Sequence, residues 1–350
     1  MPDTLAVNAP TEKSKQVSLS RVGEVAEKSG LPILLVALIL FFSFSSSTGD
    51  VFTSTPNIQN IIANQSVAGL IALGMVIPLV AGYFDLSVAA IAGLSNVAVA
   101  SLIATHHVSV PIGLLGGLLI GVVAGGVNGL LVGGLRLNPF ITTFGMYIII
   151  GGLLQLYTKG QIISGMPNAV GEWSSGKWFG IARPFWLLIV VALVVWYVLV
   201  QTPFGRKLAA IGSNEGAARL AGIRVDRSVF LIFVLSGMIA GVAGALLTVR
   251  TGSADSTTAM STLFPALAAV FLGQTSINPG QPNVWGTIFG VFVVAVAVNG
   301  FTLMGADSWI TQVFNGGALL LSVMISSFMA KARERRASTI VLRASKSADG

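Results

Sequence analysis

Val110 to Gly134 reads VPIGLLGGLLIGVVAGGVNGLLVGG, a stretch without a single charged side chain. A helix needs about 20 mainly apolar residues to cross the hydrocarbon of a bilayer, because there every backbone amide must bond within its own segment. The stretch meets that length. Gly113, Gly116, Gly117, Gly121, Gly125, Gly126 and Gly129 give it small surfaces on which a neighbouring helix can approach closely. Composition extends the reading to the whole chain: 54% of the 350 residues are hydrophobic and 9% charged, against about a quarter charged in a water-solvated domain. The expected fold is all-α, a polytopic helical membrane protein.

The same ruler places about ten spans, near 31–48, 58–82, 86–105, 110–134, 139–157, 184–201, 229–250, 263–276, 285–304 and 309–329. The eighth is short and reads equally as a re-entrant segment. Residues 1–30 form a polar N-terminal tail, 31–329 the membrane domain and 330–350 a basic C-terminal tail. About thirty residues precede the first apolar run, Leu31 to Phe44, which therefore reads as a retained helix rather than a cleaved signal. With the N-terminus inside, only Lys159, Lys177, Arg183 and Arg250 of the 20 Lys and Arg fall outside. That bias puts both termini in the cytoplasm. The Lys331–Arg336 cluster then reads as an orientation anchor beside membrane lipid, and the net charge of +7 gives no reason to expect nucleic acid.

Enzymatic signatures are weak. Gly171-Glu-Trp-Ser-Ser-Gly176-Lys177 meets the first part of a phosphate-loop pattern, but Trp178 stands where Ser or Thr is required and no strand is expected before it. Trp173, Trp178 and Trp186 fit an interfacial aromatic belt instead. His106 and His107 are adjacent and point different ways, a poor metal pair. Cysteine is absent, which excludes disulfides and thiol chemistry. No metal and no cofactor is expected on this chain.

Two features remain. Val127-Asn128-Gly129-Leu130 closes the fourth span and Val298-Asn299-Gly300-Phe301 the ninth, in opposite directions across the membrane. Such an echo suits an inverted repeat, a common transporter device, and equally a chance recurrence. The inner loop within 202–228 carries Asn214, able to cap a short helix, and Gly222, able to end it. A capped helix on the inner surface serves either as a plain connector or as a docking element.

That loop resembles the coupling segment of the ribose-type sugar permeases of bacterial ABC importers: Pro203-Phe204-Gly205-Arg206, Ala210-Ile211-Gly212-Ser213-Asn214 and Ala217-Ala218-Arg219-Leu220-Ala221-Gly222-Ile223. Gly82-Tyr83-Phe84-Asp85-Leu86-Ser87-Val88, Asn138-Pro139-Phe140-Ile141-Thr142-Thr143-Phe144-Gly145 and Pro265 to Gly273 are similar to further family segments, in the same order. Departures fall at Gln274 and at Asn278 to Asn283, where the family favours glycine. The resemblance implies a bacterial inner-membrane permease paired with a second copy or a paralogue. It also implies an ABC ATPase subunit that uses ATP and Mg and an extracytoplasmic solute-binding protein. Gly205, Arg206, Gly212, Asn214, Ala217, Ala218, Arg219, Gly222 and Ile223 are then the ATPase-coupling candidates.

Asn64, Gln65, Asp85, Asn96, Asn128, Phe140, Thr142, Thr143 and Asn299 are the translocation-path candidates; polar groups in spans either bond a hydroxylated solute or join helices. Asp85 reads as a helix cap or as a solute contact. The scarcity of other intramembrane charge suits a neutral solute such as a sugar. An ion-coupled secondary transporter, an ABC permease for a furanosyl signalling molecule, nucleoside or amino acid, and a scaffold without a pathway are the competing readings.

Overall fold

The computed structural model describes residues 29–307, 309–325 and 328. The tails at 1–28 and 330–350, with the Lys331–Arg336 cluster, lie outside the described residues. The chain is helical: α1 (Ser29–Phe44), α2 (Gly49–Phe52), α3 (Thr55–Val80), α4 (Val88–Thr105), α5 (Val110–Gly134) and α6 (Pro139–Thr158). There follow α7 (Asn168–Ser175), α8 (Arg183–Gln201), α9 (Pro203–Ser213), α10 (Glu215–Leu220) and α11 (Val225–Thr251). The last are α12 (Leu263–Gly273), α13 (Val284–Leu303) and α14 (Trp309–Ile325). One antiparallel pair, Lys177–Trp178 with Ile181–Ala182, adds a small hairpin that the all-helical expectation did not contain.

Among the described residues seven helices are long and apolar enough to cross a membrane: α3, α4, α5, α6, α8, α11 and α13. Among the described residues the other three segments expected to span are covered by shorter apolar helices, α1, α12 and α14, of which α1 and α14 abut residues outside the described ones. α12 ends at Gly273 rather than continuing to Ser276. With its preceding turn it covers Met260–Gly273, which at about 1.5 Å per residue falls short of a hydrocarbon core about 30 Å thick. The chain then reverses: Ile277 adopts φ 63°, and Asn283 donates to the carbonyls of Gly273 at 3.1 Å and Ser276 at 3.2 Å while capping α13 through Gly286 N at 2.7 Å. Asn278 to Asn283 thus builds its turn from Asn283 carboxamide bonds and Gly280 at φ 80°.

α3, α4, α11 and α13 are largely buried, whereas α5, α6 and α8 present most of their surface outward. α3 packs against α8, α11, α12 and α13, and α11 against α3, α4 and α5. α5 shows how its sequence divides. Ile112, Leu115, Leu119 and Val123 are exposed, while Gly113, Gly117, Gly121 and Gly125 are buried. Large apolar side chains meet lipid at no cost, and glycines meet helices. A Cβ placed on Gly121 would stand 2.3 Å from the Gly237 carbonyl oxygen, and one on Gly125 2.3 Å from that of Phe233, both on α11. Only glycine permits backbones this close.

Candidate functional site

The ends of α3, α5 and α8 and the starts of α4, α6 and α11 share one face of the bundle with α9 and α10. Thr202 caps α9 through Gly205 N at 3.4 Å. Asn214 closes α9 and caps α10 through Ala217 N at 2.9 Å, so one extended residue separates the two helices. Gly222, at φ 82°, ends α10. The capped helix expected from Asn214 to Gly222 is therefore present, preceded by a second helix over most of the loop that sequence reading left unassigned.

The coupling candidates divide by position. Gly205 and Gly212 face the chain itself: a Cβ on Gly205 would meet the Leu199 carbonyl, and one on Gly212 would stand 2.4 Å from the Val80 carbonyl oxygen. Ala218 is buried and Ile223 half-buried. Arg206, Asn214, Ala217, Arg219 and Gly222 are exposed, and Leu220, which sequence reasoning passed over, is 93% exposed. Charges lace this face. Arg219 donates to Glu215 at 2.8 Å and to Asp226 at 2.6 Å, and Arg136 to Asp226 at 2.8 Å. These bonds to Asp226 first, and to Glu215 next, raise the Arg219 pKa further above its ordinary value. Opposite charges on α5's exit, α10 and α11's entry could have been matched from sequence once all three were placed on one side.

Just inside this face lies a buried polar hub. Asp85, 3% exposed, accepts at Oδ1 from Ser87 N at 3.0 Å and Ser87 Oγ at 2.6 Å, and at Oδ2 from Ser236 Oγ of α11 at 2.8 Å. Asn128 of α5 donates to Ser87 Oγ at 2.7 Å, and the Asn128 Oδ1 atom is buried with no partner among the described residues. Thr143 of α6 accepts from Leu86 N at 3.1 Å and donates to Pro139 O at 2.8 Å. Both Asp85 oxygens are thus occupied by the chain's own donors beside the start of α4. Ser236, one of several hydroxyls along the largely apolar α11, carried no signal of this role.

The other path candidates do not join this hub. Asn96 accepts from Thr248 Oγ1 at 2.7 Å. Asn299 and Asn57 exchange two bonds at 3.0 Å. Asn64 and Asn60 both accept from Arg250, and Gln65 follows half-buried on α3. Thr142 is half-buried near the start of α6. Phe140, 52% exposed, stacks on Phe144, which stacks on Tyr147, with centroids 6.3 Å apart in each pair. Gly171 to Ser175 lies in α7, a helix, so the phosphate-loop likeness at Gly171–Lys177 has no loop behind it. His106 and His107 are exposed, as expected of a wetted loop. An apolar cleft of about 760 Å³ among Val110, Leu114, Trp173, Leu187, Val242 and Leu246 lies apart from the hub and offers a polyhydroxy solute little to bond.

Span-length apolar helices around buried polar contacts, with two short helices laid across one end, define an integral membrane permease. The chain belongs to the ABC permease family described as the permease component of branched-chain amino acid transport systems, whose family model matches residues 57–323. Its relatives include the ribose import permease protein of Bacillus subtilis, 35% identical over 303 residues, which are 86% of this chain and 93% of the relative. The L-arabinose ABC transporter permease protein of Azospirillum brasilense is 32% identical over 319 residues, 91% and 92% of the two chains. The D-allose transport system permease protein of Escherichia coli is 28% identical over 305 residues, 87% and 93%. No solved structure matches the chain.

Proposed function

We propose that this chain is the membrane-spanning subunit of a bacterial importer that carries a sugar or similar neutral polyhydroxy solute, driven by a separate ATPase and supplied by an extracytoplasmic binding protein. The relatives named for ribose, arabinose and allose support the solute class. The observation that carries the mechanism is α10, a capped helix packed on α9 and α11 through Ala218 with Leu220 almost wholly exposed on its outer side. An apolar side chain held in that position beside Ala217 and Gly222 suits insertion into a groove of a partner protein. In this reading α9 and α10 face the cytoplasm, both termini lie there, and the ATPase uses ATP and Mg while this chain binds neither.

α6 supplies a wall for the path. In its aromatic ladder Phe140 and Phe144 are turned toward the bundle exterior, while Tyr147 packs back on the core; a second copy or a paralogue would face the two phenylalanines across the solute. Aromatic faces suit the C–H surfaces of a sugar ring, and Thr142 adds a hydroxyl nearby. Asn64 and Gln65, in the first half of α3, are proposed to meet the solute as it enters; Asp85, Asn96, Asn128, Thr143 and Asn299, bonded within the chain, are proposed to shape the walls. The test is uptake by sealed proteoliposomes containing the chain, its ATPase and its binding protein. Uptake is expected only with ATP on the ATPase side; uptake that persists without ATP and follows an ion gradient would reassign the chain to ion-coupled transport.

A further inference from the structure

α10 is hinged. It joins α9 through the single extended residue Asn214, while α9 is fixed to the bundle by the backbone contact of Gly212 with Val80 and Ala81. What sets the angle of α10 is therefore a small number of contacts beyond Asn214. Ala218 is buried beneath it, Arg219 pairs with Asp226 through groups that are 36% and 39% exposed, and Tyr83 Oη donates to Glu215 Oε2 at 3.0 Å. An exposed ion pair is a soft restraint, weakened by salt and by side-chain freedom. The tyrosine bond is also exposed at its acceptor, Glu215 being 46% exposed, but its donor sits on a half-buried ring. Burial first, and then its bond to Glu215, raises the phenol pKa well above its ordinary value, so the hydroxyl stays a neutral donor.

Tyr83 also has a distinct position in the chain. It lies in the connection 81–87 between α3 and α4, two residues before Asp85. Tyr83 is continuous with a short peptide segment whose far end is bonded to Ser236 of α11, to Thr143 of α6 and, through Ser87, to Asn128 of α5. The segment is short and hydrogen-bonded at both ends, and at its buried end the polar groups have no water to turn to, which favours their bonds to the chain.

We propose that the Tyr83 hydroxyl is a positioning group that links α10 to the Asp85 hub, so that movement of the docked helix is delivered to α5, α6 and α11 together. This rests on the docking assignment of α10. Tyr83→Phe removes one oxygen and leaves the ring in place. In proteoliposomes holding the complete importer, the variant is expected to assemble and to hydrolyse ATP when the loaded binding protein is added. Solute imported per ATP is expected to fall roughly fivefold, the lower range of measured allosteric couplings. A merely structural tyrosine would lower yield or thermal stability and leave that ratio alone.

Two further variants keep the outcome decisive if Tyr83→Phe folds poorly. Glu215→Gln retains a carbonyl acceptor for Tyr83 and is expected to hold the ratio within about twofold, whereas Glu215→Ala is expected to reproduce the loss. The chain has no cysteine, so Leu220→Cys gives a single crosslinking site for the ATPase. Crosslinking with an unchanged ratio in Tyr83→Phe overturns the linkage and leaves docking intact. Failure of Leu220→Cys to crosslink in the otherwise native complex overturns the docking assignment, and the linkage with it.

Discussion

At the scale of single residues, the least legible part of the chain is the set of partners around Asp85. Its position between spans marked it as a charge needing support, and sequence allowed either a cap or a solute contact. The structure gives its oxygens to Ser87 and Ser236. Nothing distinguishes Ser236 in sequence from Ser228, eight residues earlier on α11, because periodicity does not reveal what another helix places opposite. Their chemistry differs sharply. Ser228 Oγ returns its bond to the Arg224 carbonyl one turn back, while Ser236 Oγ serves a buried carboxylate. Ser236→Ala is therefore expected to destabilise by about 1–3 kcal/mol, the range for depriving a buried group of its donor. Ser228→Ala should stay within about 0.5 kcal/mol. Thermal unfolding of both variants in one detergent checks this; equal midpoints would remove the hub's claim to a special role.

At the scale of elements, helices were readable because apolar length and capping chemistry are local. Asn138 before Pro139 and Asn214 before Glu215 are examples, each accepting from an amide three residues on. The contacts between helices were only half readable. α5's glycines announced a small surface, yet Gly121 and Gly126 look alike in sequence. A Cβ on Gly121 would collide with the α11 backbone, and one on Gly126 would meet nothing within 4 Å. The same intimacy joins α12 to α13, where a Cβ on Gly290 would stand 2.2 Å from the Ala269 carbonyl oxygen. Gly121→Ala and its counterpart Gly237→Ala must push α5 and α11 apart. Each is expected to cost about 1–3 kcal/mol as an overpacked contact. Gly126→Ala is expected to be neutral or to stabilise by up to about 1 kcal/mol through helix propensity. Comparing the yield of monodisperse protein and its unfolding midpoint across the three tests the helix contact directly.

At the scale of the whole molecule, sidedness is the property on which function turns. The proposed mechanism needs α9 and α10 on the side where ATP is found, and a helical bundle packs equally well in either orientation. What breaks the symmetry is charge. Arg136, Arg206, Lys207, Arg219, Arg224 and Arg227 gather at the α9–α10 end of the bundle, and translocating such segments is opposed during insertion. His106, by contrast, follows α4 at the opposite end and is exposed, as is Lys207 on α9. In the cysteine-free chain, His106→Cys and Lys207→Cys each report one face without background. A membrane-impermeant maleimide added to intact cells, with the outer membrane opened, is expected to label His106→Cys at once and Lys207→Cys only after the inner membrane is permeabilised. Both substitutions sit on exposed side chains away from the buried hub, so labelling is read without loss of fold. The reverse pattern would place α10 outside, beyond reach of a cytoplasmic ATPase, and no energetic detail of the Tyr83 linkage would then rescue the importer mechanism.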